Sequence, residues 1–254
     1  MKLHVESLGT GPDLVLIHGW SMHGAVCLGL AERLAARFRV HVPDLPGHGR
    51  SRGEPLPRLA ELAAGLADFF PGATHLCGWS LGAHVAMRWA LDRPSSLRRV
   101  ALISATPRFP AGGSWQAGSA LGDLEAFARA LHTDYHGTLD RFIALQAVGS
   151  PAPRQVIAAF RRRLAHAETP DRDALDVGLR ILAETDLRSE VERLTLPSLL
   201  LHGEQDAVVP KAAAEWLAHM LPNGRLAIIP QAGHGPFVSH EAECAALLIE
   251  HLND

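Results

Sequence analysis

Apolar and polar positions follow two different periods along the chain, and the switch between them marks out its elements. Residues 2–8 alternate singly, as a half-exposed strand does, and run into the turn Gly9-Thr10-Gly11-Pro12. Continuous apolar runs then recur at residues 13–19, 39–44, 73–78, 97–104, 196–203 and 224–230, the form of strands buried on both faces. Residues 25–38, 59–70, 81–91 and 242–252 carry helical periodicity, with Pro94 beyond the third of them as a stop signal. Strand and helix in alternation predict an α/β fold with a mostly parallel sheet covered on both faces. After Thr106 the pattern changes. Pro107, Pro110, Gly112 and Gly113 break the chain, and from Asp123 to about Asp186 the period is helical with no strand. The expectation is therefore a core of residues 1–106 and 187–254, interrupted by a helical cap over 107–186.

Composition narrows the classes of function. A chain of 254 residues with 47% apolar residues can bury one large core. A formal charge of −3 with 20% charged residues lacks the basic excess that nucleic acid selects, so no nucleic-acid partner is expected. No apolar run approaches the ~20 residues that cross a bilayer, and Met1-Lys2-Leu3-His4-Val5-Glu6 has no apolar signal core. A cytoplasmic monomer away from the membrane is the expectation. Cys27, Cys77 and Cys244 are odd in number and lack metal-ligand spacing, as expected of small core hydrophobes in a reducing compartment.

The chemistry is concentrated where apolar runs end. Residues 73–78 lead into Gly78-Trp79-Ser80-Leu81-Gly82 and then directly into a helix. In G-x-S-x-G the serine sits on a strained strand-to-helix turn that lifts its hydroxyl above the sheet and crowds the backbone two residues to either side, where only glycine fits. Ser80 is the candidate nucleophile. It needs a base, itself held by an acid. Asp206 and Glu204 follow the run at 196–203, and His234 follows the last run; His202 and His240 are the other candidates for the base. Ligands bind beyond the carboxyl ends of parallel strands, so these residues are expected to converge, in the chain order Ser, acid, His of this hydrolase architecture. The loop His18-Gly19-Trp20 stands where such hydrolases place a second oxyanion donor, with Trp20 and Leu81 supplying the two backbone N–H groups.

Other patterns carry less. Gly9-x-Gly11 precedes a strand rather than a helix, unlike a dinucleotide fingerprint, and the glycine-rich loop at 45–51 lacks Gly-Lys-Ser/Thr. His132 and His136 have the spacing of a metal pair on one helix face, but no third ligand is apparent, so neither metal nor cofactor is expected.

Taken together, His18-Gly19-Trp20, Asp44-Leu45-Pro46-Gly47-His48-Gly49-Arg50-Ser51, Gly78-Trp79-Ser80-Leu81-Gly82, Arg141-Phe142-Ile143-Ala144-Leu145-Gln146 and Gly233-His234-Gly235-Pro236-Phe237-Val238-Ser239-His240 resemble the pimeloyl-[acyl-carrier protein] methyl ester esterases of biotin biosynthesis, nearly end to end. Trp79 and the Phe142 segment are the most distinctive parts. The resemblance implies an α/β-hydrolase fold and hydrolysis of a methyl ester on a pimeloyl chain carried by acyl carrier protein. It favours Asp206 over Glu204 as the acid. It also implies that Trp20, Ser80, Leu81 and His234 contact the acyl group and that Phe142, Ile143, Ala144, Leu145 and Gln146 line its channel.

Residues 141–167 contain Arg141, Arg154, Arg161, Arg162 and Arg163 and no Asp or Glu, a one-signed stretch suited to an acidic carrier. Gly137 and Ala158 stand where the family has arginine. The competing readings are a carboxylesterase of small free esters, a carbon–carbon bond hydrolase with the same triad, and a non-catalytic carrier-binding module.

Overall fold

The apolar runs become strands of one sheet in the computed structural model, which describes residues 1–93, 95–119, 124–165, 167 and 169–253. The strands are β1 (Val5–Leu8), β2 (Asp13–Ile17), β3 (Arg39–Pro43), β4 (His75–Trp79), β5 (Arg99–Ile103), β6 (Ser198–Gly203) and β7 (Gly224–Ile229). Their order is β1-β3-β2-β4-β5-β6-β7, and only β1 runs antiparallel to its neighbour. Register brings the carboxyl ends level: Ile17 pairs with Gly78, Trp79 with Ile103, Ile103 with Leu201, and Gly203 with Ile229. Any residue just past these positions lies on one rim.

Pleating sends successive side chains to opposite faces. Val15, Ile17, Leu76, Val100, Leu102 and Leu200 pack under helices α2 (Leu59–Phe69), α3 (Leu81–Asp92) and α8 (Lys211–Met220). Leu14, Leu16, Cys77, Trp79, Ala101, Ile103 and Leu201 pack under α1 (Leu28–Leu34) and α10 (Glu241–Asn253). Both faces of the central strands are thus dry, which is why their sequence is a continuous apolar run.

Two helices depart from the periodicity. The pattern at 25–38 begins as a tighter 3-10 turn at Gly24–Cys27, leaving only seven residues of α-helix in α1. α8 has no counterpart in the periodicity; its buried face is Ala213, Ala214 and Leu217, two of them alanines that barely register as an apolar stripe. Pro94 lies outside the described residues, and so does Asp123.

Between β5 and β6 run α4 (Leu124–Thr133), α5 (Tyr135–Leu145), α6 (Pro153–Leu164) and α7 (Arg172–Glu184). The two ends of this segment meet: Leu187 N–H donates to Pro107 O at 2.9 Å, and Arg108 bridges to Asp186. α9 (Pro236–Ser239) is a single turn ahead of α10.

Candidate active site

Ser80 is the residue between β4 and α3, and its backbone has φ +56° and ψ −114°. A positive φ in a non-glycine residue is strain that the surroundings must hold in place. The surroundings do so through glycine. A methyl group built on Gly78 would collide with Gly82 O, and one on Gly82 with Ile17 O, so both positions are closed to any side chain. Ser80 N–H donates to Ile103 O at 3.0 Å, which fastens the turn to the next strand.

His234 lies past β7 and Asp206 past β6. His234 Nδ1 lies 2.8 Å from Asp206 Oδ2 and 3.0 Å from Oδ1, and both side chains are fully buried. With Nδ1–H donated to the carboxylate, Nε2 keeps its lone pair, and this buried atom has no protein partner. Asp206 Oδ1 also accepts the N–H groups of Val208 at 2.8 Å and Val209 at 2.9 Å. Burial pushes the Asp206 carboxyl up, but the His234 and His202 rings and the Val209 N–H outweigh it and hold the group below the usual carboxylate range. Asp206 is therefore a fixed anion facing the imidazole.

The loop after β2 runs beside the nucleophile: a methyl on Gly19 would lie 3.4 Å from Ser80 Cβ. A neutral histidine sets this loop. His18 Nδ1 meets Gly19 O at 2.8 Å and its Nε2 accepts Leu45 N–H at 2.9 Å, an assignment that requires the proton on Nδ1. Burial pushes the His18 pKa well down, so the ring stays neutral. Asp44 closes the glycine-rich loop, accepting Gly24 N–H at 2.7 Å and Arg50 N–H at 2.8 Å. Next in the loop, Trp20 makes no backbone N–H bond to the described protein. Leu81, as the first residue of α3, has no acceptor within its helix. Leu81 follows Ser80 directly and Trp20 follows Gly19, the residue that lies against Ser80, so both uncommitted N–H groups belong to the segments beside the nucleophile.

The other candidate residues have different employment. His202 lies within β6, with Nε2 3.0 Å from Val209 O and 3.5 Å from Asp206 Oδ2, so it braces the acid's turn from behind. Glu204 is exposed and accepts Gln231 N–H at 3.2 Å. His240 meets Ser239 Oγ at 2.9 Å. His132 and His136 do not share a helix face, because Asp134 ends α4 and caps α5 between them by accepting Gly137 N–H at 3.1 Å. Among the described residues no group of three His, Cys, Asp or Glu side chains is placed to hold a metal. A second Ser-His-Asp contact, Ser7 Oγ to His41 Nδ1 at 2.9 Å and His41 Nε2 to Asp13 at 3.0 Å, runs across the neighbouring strands β1, β3 and β2. There the Asp13 carboxylate is committed to Arg39, and no strained turn presents the serine.

The family model described as "Alpha/beta hydrolase family" matches residues 14–247. The pimeloyl-[acyl-carrier protein] methyl ester esterase of Nitrosomonas europaea is 42% identical over 94% of this chain and 94% of its own. That of Chromobacterium violaceum is 41% identical over 99% and 98%. The chain belongs to the alpha/beta hydrolase family, among its pimeloyl-[acyl-carrier protein] methyl ester esterases. The fold is shared more widely: an esterase from Exiguobacterium antarcticum superposes with a TM-score of 0.88 at 21% identity, covering 99% of this chain and 96% of that one. An enol-lactonase from Burkholderia xenovorans does so with 0.85 at 19%, covering 99% and 96%.

In this alpha/beta hydrolase the segment over the rim reaches the core loops directly. Trp20 Nε1 donates to Leu175 O of α7 at 2.9 Å, and its ring stands edge-on to Phe142 at 4.9 Å and Phe127 at 5.5 Å. Phe142 and Leu145 pack towards the α2/α3 core and Ile143 towards the α1/α10 core, with Phe142 touching both. Ala144 is half-buried. Gln146 is fully buried: its Nε2 donates to Phe142 O at 2.9 Å, its main-chain O accepts Gly235 N–H at 3.3 Å, and Oε1 has no protein partner. A cavity of about 160 Å³ lies between Ser21 and His23 on one side and Leu139, Ile143 and Leu164 on the other. The larger cavity of about 670 Å³, between α2 and α7, touches none of Ser80, Asp206 and His234.

The arginine stretch is partly neutralised in a way the linear sequence hides. Arg141 pairs with Asp134 at 3.1 Å, Arg161 with Asp140 at 3.2 Å, and Arg163 turns inward to Glu241 at 2.8 Å and Val26 O at 3.0 Å. Arg154 and Arg162 are exposed without a protein partner among the described residues. No described helix is long and apolar enough to cross a membrane.

Proposed function

We propose that the chain is a serine carboxylesterase that hydrolyses the methyl ester of a pimeloyl chain carried on acyl carrier protein. The observation that carries this reading is His234, bonded through Nδ1 to Asp206 and left with a free Nε2 on the rim where Ser80 is lifted by its strained turn. Names borne by relatives at 41–42% identity support the substrate.

In the proposed reaction Ser80 Oγ attacks the ester carbonyl carbon while His234 Nε2 takes its proton, and Asp206 stabilises the imidazolium. The negative charge moves to the former carbonyl oxygen. The Trp20 and Leu81 N–H groups hold it there, and removing one such donor costs ~3 kcal/mol in measured cases. The tetrahedral species collapses, the carbon–oxygen bond to methoxide breaks, and His234 returns the proton so that methanol leaves. Water, deprotonated by His234, then attacks the acyl-enzyme and releases the free carboxylate with Ser80 restored.

Residues 107–186 serve in this reading as a cap whose Phe142, Ile143, Ala144, Leu145 and Gln146 line the acyl channel. The orphaned Gln146 Oε1 suits a polar contact there. The acidic carrier docks outside on the cap, so only the far end of the chain reaches Ser80 and the thioester is spared. Of the arginines, Arg154 and Arg162 have charge to give, whereas Arg141 and Arg161 must first exchange partners. The enzyme acts as a cytoplasmic monomer without cofactor. Turnover of the carrier-bound methyl ester against a short p-nitrophenyl ester, at low and high salt, tests the substrate. A preference for the former that weakens with salt supports it, and equal turnover with no salt effect favours a carboxylesterase of small free esters.

A further inference from the structure

The main-chain oxygen of His234 accepts two side-chain hydrogen bonds. Trp79 Nε1 donates to it at 2.9 Å and Ser104 Oγ at 3.0 Å. Both donors come from the rim that carries the nucleophile: Trp79 ends β4 immediately before Ser80, and Ser104 follows Ile103, the residue paired with Trp79 in the sheet.

Each donor is itself immobilised. Trp79 is buried, with its ring edge-on to Phe237 at 4.9 Å and stacked on Phe160 at 5.9 Å. Ser104 is buried with φ +48°, a conformation uncommon outside glycine, and its N–H donates to Leu201 O at 2.9 Å. The next residue along, Gly235, gives its N–H to Gln146 O. His234 is therefore gripped through its imidazole, its carbonyl and the following amide; the carbonyl contacts lead straight back to Ser80, and the Trp79 ring also lies tilted against the imidazole at 5.6 Å.

We propose that Trp79 and Ser104 are positioning residues that set His234 relative to Ser80 by holding its carbonyl from the nucleophile's own strand end. This rests on the reading of Ser80, Asp206 and His234 as a triad. Geometry makes the effect kinetic: displacement of a catalytic group by about 1 Å costs on the order of 100-fold in rate. The carbonyl hydrogen bonds restrain that displacement without touching substrate.

The test is Ser104→Ala, Trp79→Phe and their combination, assayed on a short p-nitrophenyl ester, with active sites counted by fluorophosphonate labelling taken to completion. The kcat per labelled site is expected to fall about tenfold in each single variant, the kinetic equivalent of one net hydrogen bond, with KM within about twofold. The double variant, which leaves a buried carbonyl with neither donor, is expected to fall by more than the product of the two. Ser104→Cys, a weak donor of similar size, is expected to fall between wild type and Ser104→Ala; it carries the test if Trp79→Phe does not fold.

A merely structural role predicts fewer labelled sites and a lower unfolding temperature, with kcat per site unchanged, and that result would overturn the proposal. Ser80→Ala and His234→Ala run alongside. If they retain turnover the triad reading fails, whereas if they are inactive while Ser104→Ala and Trp79→Phe keep full kcat per site, only the positioning role fails.

Discussion

Trp20 and Phe142 meet edge to face, 4.9 Å between centroids at 89°, and this contact joins the loop beside the nucleophile to the helical segment above it. Phe142→Ala removes an aromatic pair worth about 1 kcal/mol beyond its buried area, and a half-buried side chain besides. The expected loss is about 2 kcal/mol by urea unfolding. On the proposed function KM for the carrier-bound ester rises several-fold, while kcat on a short ester changes little.

Ser80 at φ +56° stores strain that glycine would not. Ser80→Gly is expected to raise stability by about 1 kcal/mol while abolishing turnover. Gly82→Ala does the opposite to the fold: its methyl meets Ile17 O, and a loss above about 3 kcal/mol, or failure to fold, is expected. Thermal unfolding of the two variants beside wild type checks both signs.

Stability is expected to begin falling with acid above the range in which carboxylates titrate. Burial pushes the pKa values of His48, His75 and His84 down to about 4, and those of His18 and His202 down as well. Unfolded, each titrates near 6.5, so between about 6.5 and 4 the unfolded chain binds more protons and stability rises with pH. The contribution is complete above about 6.5 and is lost as pH falls towards 4. It amounts to at most about 3 kcal/mol for a fully buried ring such as His84. Asp13, held at about 2 by the Arg39 hydrogen bonds against the effect of burial, loses its share only at lower pH. Urea midpoints at pH 7.5 and 5 measure the window, and His84→Leu should flatten it.

On the proposed function, the charge of residues 107–186 is expected to act through Arg154 and Arg162, which have no partner among the described residues. Arg154→Glu with Arg162→Glu should raise KM for the carrier-bound ester about tenfold at low salt and leave the short ester unchanged. Arg161→Ala should do less, because its guanidinium is already paired with Asp140 and would have to leave it to meet the carrier. Steady-state kinetics at two salt concentrations separate the cases.

Much of this is legible in the sequence. Gly78 and Gly82 mark a turn through sterics alone, and strand ends had to gather Ser80, Asp206 and His234 because parallel strands finish on one rim. What stayed hidden depends on neighbours distant in sequence. The Trp79 indole reaches the carbonyl of a residue 155 positions away. Arg161 reaches Asp140, and Arg163 reaches Glu241. The break between α4 and α5 was local, since Asp134 is a good N-cap ahead of Gly137, but a continuous helical period masked it. α8 is silent in the pattern because alanine buries without looking apolar.

The measurement that bears most directly on the proposed activity is methanol release from methyl-pimeloyl acyl carrier protein by the wild-type chain and by Ser80→Ala. The expected result is rapid release with the carrier thioester intact, and a loss of on the order of a million-fold in the variant, as when a serine nucleophile is removed elsewhere. Release that persists in Ser80→Ala, or cleavage of the thioester in place of the methyl ester, would contradict it.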